Sequence, residues 1–167
     1  EEFEASQTRQ YTQTKRSKRF EPLYESMISN YESSSREEDY QTPAILYICG
    51  GSSLDNSYVQ ELIDWRHKTG NIVYTATTGD IGSSASSVKD YIEFAYSNRE
   101  NPPEIVGLIG DTDVIDCFYQ DWGTGGWNYY NGATDFDYTQ LDGNDLIPEV
   151  FVGRISGQGQ SVMENVI

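Results

Sequence analysis

Positive charge is scarce in this chain. Its 167 residues carry 11 Lys and Arg against 27 Asp and Glu, a formal net charge of −16. Such a balance repels phosphate backbones and anionic membrane surfaces, so a nucleic-acid partner is disfavoured, while cation binding and high solubility fit. Long apolar runs are missing too: none approaches the ~20 residues a membrane helix needs. The N-terminal stretch "EEFEASQTRQYTQTKRSKRF" is too polar for a signal peptide, although a secreted protein after processing has the same look. Histidine is reduced to His67, and cysteine to Cys49 and Cys117. Two cysteines leave the compartment open, and a disulfide between them stays a possibility that sequence cannot settle. Neither G-x-G-x-x-G nor G-x-x-x-x-G-K-[ST] occurs, so "ICGGSS" (48–53) reads as a strand-to-helix turn rather than a phosphate cradle.

What is present is a regular alternation of apolar patterns. Residues 1–17 are polar and read as flexible. In "KRFEPLYESMISNY" (18–31), Phe20, Leu23, Tyr24, Met27, Ile28 and Tyr31 recur at helical spacing, which predicts an amphipathic helix. "ESSSREEDYQTP" follows as a linker. "AILYICG" (44–50), "NIVYTATT" (71–78), "EIVGLIG" (104–110) and "EVFVGRIS" (149–156) read as strands. Between them lie helical patterns at 57–70, with Val59, Leu62, Ile63 and Arg66 near one face, and at 83–98, with Val88, Tyr91, Ile92 and Ala95. Gly70 suits the end of the first because glycine accepts positive φ. Serines suit the start of the second as caps. Residues 111–140 form a long aromatic and glycine-rich insertion, and 160–167 starts another helix that stops without a cap, as in a piece of a larger chain. The sum, β-α-β-α-β-loop-β-α, predicts an α/β fold: an open, mostly parallel sheet with helices on both faces. Ligands of such sheets sit outside the carboxyl ends of the strands, where the "CGGSS", "GDIGSS" and "GDTDVIDCF" turns gather.

The chemistry-bearing residues are mainly carboxylates. His67 falls in the last turn of a helix running antiparallel to the strands. Its end therefore lies at the opposite edge of the sheet from Cys49 and Cys117, and a catalytic dyad is disfavoured. "LDGNDLIPEVFVGR" (141–154) places Asp142, Asp145 and Glu149 just ahead of an apolar strand. Pro148 pushes Ile147 into an extended conformation, so residues 145, 147 and 149 project in the same sense. Asp145 and Glu149 could bracket one ion, with the Ile147 carbonyl between them and Asp111 as a further donor. Oxygen ligands without nearby His or Cys favour calcium over zinc. No window meets the EF-hand pattern. On spacing alone a solvated acidic loop and a calcium site both stay open. A glycosidase pair fits poorly, because Asp145 and Glu149 lie too close along one segment to flank a bond, although Tyr119, Trp122, Trp127, Tyr129 and Tyr130 could stack sugars.

Taken together, "ILYICGG", "VQELIDWRHKTGNIVYTATTGDIGSSASSVKDYIEFAY", "NPPEIVGLIGD" and "LDGNDLIPEVFVGRIS" resemble the gingipain family of cysteine peptidases, peptidase family C25, over roughly residues 44–167. The resemblance implies a caspase-like α/β fold of two side-by-side subdomains, of which this chain matches the first. The polar 1–43, with its helix at 18–31, resembles the junction between a family prodomain and the catalytic part. The family's Cys–His pair lies in G-H-G and A-C-x-N-G motifs of the second subdomain, and neither motif occurs here, so no catalytic residue is assigned. The resemblance also implies a calcium site of Asp111, Asp145 and Glu149 with the backbone carbonyls of Asp142 and Ile147. The insertion at 112–136 departs from the family pattern. Implied partners are a second subdomain of the same protein and a protein or peptide substrate, in a secreted or surface protein of Bacteroidota exported through the type IX system. The competing expectation is a non-catalytic binding or adhesion module on the same fold, using the aromatic loop 118–132.

Overall fold

The computed structural model of the chain describes residues 15–121, 131–143 and 146–157. The segment 160–167, expected to start a helix, lies outside the described residues, as do Trp122, Trp127, Tyr129 and Tyr130 of the insertion and Asp145.

Four parallel strands form the centre: β1 (Ala44–Cys49), β2 (Ile72–Thr77), β3 (Ile105–Ile109) and β6 (Phe151–Ile155), in the order β2-β1-β3-β6. All six residues of β1 are buried, as expected of a strand paired on both sides and covered on both faces. Its side chains alternate. Leu46 and Ile48 join Val106 and Leu108 against Val88, Tyr91, Ile92 and Ala95 of α4 (Ala85–Asn98). Ile45, Tyr47 and Cys49 join Ile109 against Val59 and Ile63 of α2 (Ser57–Lys68). Helices therefore cover both faces, because each of these helices carries one apolar stripe and the inner strands β1 and β3 carry two apolar faces.

Local signals set the helix ends. The Asn56 side chain accepts from the Tyr58 amide at 2.9 Å and opens α2. Ser84 accepts from the Ser87 amide and opens α4. Gly70, φ +85°, turns the chain out of α2 toward β2. A one-turn helix, α3 (Thr78–Ile81), stands where the sequence pattern indicated only a turn, its start capped by Thr77 accepting from the Asp80 amide.

Three expectations need correction. The helix expected over 18–31 is shorter: α1 spans Glu21–Met27, begins with Pro22 in its first turn and ends where Ile28 is extended. Its apolar stripe is only partly used, since Phe20 is buried while Met27 and Ile28 are exposed. The expected linker is tied to the domain: Arg16 bridges to Tyr40, a 3-10 turn forms at Glu37–Asp39, and buried Gln41 donates to the Pro102 carbonyl at 2.9 Å. The insertion after β3 is not wholly a loop. It contains an antiparallel pair, β4 (Phe118–Asp121) and β5 (Asn131–Thr134), followed by a 3-10 turn at Phe136–Thr139.

Candidate functional site

The register of β3 and β6 decides which acidic residues can meet. Ile105 pairs with Phe151 and Ile109 with Ile155. Asp111 follows the carboxyl end of β3, whereas Glu149 precedes β6 at the amino end, beside Glu104, whose carbonyl accepts from the Phe151 amide at 2.9 Å. The five residues of β3 separate them, about 17 Å at the usual rise per strand residue. Calcium ligands lie 2.3–2.6 Å from the ion. Asp111 and Glu149 therefore cannot clamp the same cation, and the expectation that Asp111 completes that set is corrected. Spacing along the sequence hid this, because a parallel strand exits at the edge opposite to its entry.

At the amino edge, Glu149 closes its own loop. Its Oε2 accepts from the Leu141 amide at 2.6 Å and the Asp142 amide at 3.2 Å, and its amide donates to the Thr139 carbonyl. Asp142, Ile147 and Glu149 thus share one closed turn of chain, to which Asp145 belongs in sequence. Among the described residues, no group of three His, Cys, Asp or Glu side chains comes close enough to hold a metal. The same edge carries a cavity of about 350 Å³ bordered by Phe20, Tyr24, Gln41, Tyr96, Glu104 and Glu149.

At the carboxyl edge the organising residue is one that the sequence reading passed over, Arg154. It stands in β6 with a side chain only 9% exposed. Nε and Nη2 grip the two Asp135 carboxylate oxygens at 2.9 and 2.7 Å. Nη1 donates to the carbonyls of Gly110 at 3.2 Å and Ile115 at 2.7 Å, and Nη2 also reaches the Asp116 carbonyl at 3.1 Å. The whole guanidinium fork is engaged. Burial disfavours its charged form, yet the bonds and charge of Asp135 outweigh that and hold its pKa above the usual arginine value. Tyr138, fully buried, donates its hydroxyl to the same Asp116 carbonyl at 2.7 Å, and its ring meets Phe118 edge-on at 5.1 Å. Burial pushes the Tyr138 phenol well above its normal value. The available signal was a lone arginine inside an otherwise apolar strand, "FVGRIS".

The neighbouring turn packs closely. A Cβ placed on Gly50 would sit 2.5 Å from Val114 Cγ2, so the first turn and the loop after β3 touch through a bare backbone. Gly51 donates to the Thr78 hydroxyl at 3.1 Å, joining the turns after β1 and β2.

Neither cysteine is set up as a nucleophile with histidine. Cys49 and Cys117 are buried and free. Burial, eased only by a hydrogen bond with Ser53, pushes the Cys49 thiol up to about 11, the opposite of an activated thiolate. His67 is exposed in the last turn of α2, with Arg66 and Lys68. Among the described residues no helix is long and apolar enough to cross a membrane.

The architecture is that of a caspase-like α/β domain: a parallel sheet covered by helices on both faces, with linked loops at the carboxyl ends of its strands. The chain belongs to peptidase family C25, whose family model matches residues 38–167. It is 25% identical over 152 residues to gingipain R2 of Porphyromonas gingivalis strain W83, covering 89% of this chain and 19% of that protein. It is 26% identical over 152 residues to gingipain R1 of the same species, covering 89% of this chain and 14% of that one. Among solved structures, the Arg-specific cysteine proteinase gingipain R (RGPB) superposes with a TM-score of 0.59 at 23% identity, over 80% of this chain and 28% of that chain. The complex of Porphyromonas gingivalis RgpB pro- and mature domains superposes with a TM-score of 0.57 at 24% identity, over 73% and 26%. The chain thus spans a fifth or less of these curated relatives and about a quarter of these solved chains.

Proposed function

We propose that this chain is the first subdomain of a secreted, gingipain-like bacterial cysteine endopeptidase. The reading rests on the family match over 38–167, which takes in the whole central sheet. A second subdomain outside this sequence would supply the Cys–His pair. The protein would then hydrolyse peptide bonds by thiolate attack on the carbonyl carbon, loss of the amine, and hydrolysis of the acyl-enzyme. The present segment would provide the rigid sheet, and its carboxyl-edge loops would form one wall of the substrate cleft. The buried, protonated thiol of Cys49 agrees with a nucleophile located elsewhere. The test is peptide hydrolysis by the full-length parent protein. We expect cleavage of fluorogenic peptides that iodoacetamide abolishes. An intact, folded parent without thiol-dependent cleavage refutes the reading.

The loop 141–149 is proposed to bind calcium through Asp145 and Glu149, with the carbonyls of Asp142 and Ile147. Its donor chemistry fits a hard cation, since it offers carboxylate and carbonyl oxygens and contains no Lys or Arg. The closure of the loop by Glu149 supports the grouping. Bound calcium would neutralise the loop and hold β6 in register. Competition with a fluorescent calcium chelator should give one site per chain, lost in Asp145→Ala, and calcium should raise the melting temperature of wild type only. No binding in wild type refutes the site.

A further inference from the structure

The buried guanidinium of Arg154 joins two chain segments far apart in sequence. One is the loop leaving β3, gripped at the carbonyls of Gly110, Ile115 and Asp116. The other is the junction between β5 and the following 3-10 turn, gripped at the Asp135 carboxylate. Tyr138 adds a second tie from that turn to Asp116. Above this knot rises the β4–β5 hairpin, whose Tyr119 is 62% exposed. Without Arg154 the knot loses its bonds to three backbone carbonyls, and Asp135 loses its counter-charge in a part-buried site.

We infer that Arg154 is the positioning residue of the substrate-cleft wall: it locks the β3 loop and the base of the β4–β5 hairpin into one rigid unit against which the peptide is held. This rests on the peptidase reading above and names the part of the segment that sets substrate affinity. Arg154 touches no reacting atom in this scheme. A wall that holds the peptide equally in the ground and transition states acts on KM and leaves kcat in place. A residue that only maintains the fold does the reverse: its loss reduces the fraction of active enzyme, so apparent kcat falls while KM stays.

The variants are Arg154→Lys, which keeps the charge but not the planar fork, and Asp135→Asn, which keeps hydrogen-bonding oxygen while removing the charge. The Arg154→Lys substitution guards against an Arg154→Ala protein that fails to fold. In the full-length parent, with rates expressed per total protein, Arg154→Lys should raise KM roughly tenfold with kcat within about twofold, and Asp135→Asn should raise it less. Hydrogen exchange on the same proteins should speed up together at amides 111–117 and 131–139, and stay unchanged in β1. Unchanged exchange in both segments overturns the inference, as does a fall in kcat with KM unaltered. Failure of the peptidase reading looks different: the wild-type parent itself cleaves nothing, and the substrate-holding role falls with it.

Discussion

The Phe20 ring stacks on that of Phe151, with centroids 4.3 Å apart and planes inclined by 26°. Phe20 is 1% exposed, whereas Phe151 remains 42% exposed. A residue from the N-terminal segment thus covers the first residue of the outer strand β6. Arg19 adds an ion pair at 3.0 Å to Glu104, which is 3% exposed and immediately precedes β3. Phe20→Ala should therefore cost about 3–5 kcal/mol and loosen residues 15–43 as a unit. Chemical denaturation measures the first, and faster proteolysis around Arg16 to Arg19 measures the second. A variant as stable and as resistant as wild type would mean that this segment does not support the sheet.

Gly107 and Gly153 face each other across β3 and β6 but differ in surroundings. A Cβ on Gly107 would lie 2.5 Å from two carbons of the Tyr47 ring, whereas one on Gly153 meets nothing within 4 Å. Gly107→Ala should destabilise by about 1–3 kcal/mol through forced repacking of Tyr47 against α2. Gly153→Ala should be neutral or slightly stabilising, since alanine restricts the unfolded chain more than glycine does. Thermal melts of the two variants give the comparison, at roughly 2–4 °C per kcal/mol for a domain of this size. Equal melting temperatures would contradict the packing described.

Alkali should unfold the protein before it titrates every tyrosine. Burial first, then the hydrogen bond and charge of Glu21, hold Tyr31 up to about 12, and burial also raises Tyr138, Tyr74 and Tyr24. An unfolded tyrosine ionises near 10. Above that pH the unfolded chain releases protons that the folded chain retains, so stability is fully present below about pH 10 and falls as pH rises toward about 12. Tyrosinate absorbance and circular dichroism should change together over that window. Tyr31→Phe should make the fall shallower.

The Cys49 thiol, held up to about 11, should resist alkylation at pH 8 in the native protein and react once the chain is unfolded in denaturant. In the parent enzyme, Cys49→Ala should leave peptide hydrolysis intact. Rapid native labelling, or loss of hydrolysis in that variant with its fold retained, would place the nucleophile in this segment after all.

The sheet was legible because its evidence is local. "AILYIC" is apolar throughout, and such a run bounded by turn residues marks a strand paired and covered on all sides. Asn56, Ser84 and Gly70 announce helix ends by their own chemistry. What failed was tertiary. The apolar spacing at 18–31 promised a longer helix, yet Phe20 is drawn instead into a ring stack with a residue more than a hundred positions away. The carboxylates Asp111 and Glu149 looked like partners until the parallel register put a strand's length between them. Arg154 is not legible in the sequence because its partners lie elsewhere in the chain: three carbonyls and one carboxylate, on loops whose shape no residue pattern encodes.

The strand order β2-β1-β3-β6 has a kinetic consequence. Of the four strands of this sheet, β1 is made before the other three and becomes an interior one, with β2 added on one flank and β3 on the other, so Ile45 must wait for both Val73 and Ile105. Each pairing closes a loop that contains a helix, and parallel pairings of this kind assemble slowly because chain entropy is lost before contacts compensate. During synthesis the apolar faces of β1 stand uncovered until α2 and α4 arrive. An acidic chain has an advantage in that interval: self-repulsion between its emerging copies works against aggregation at the moment when its most apolar strand is most exposed.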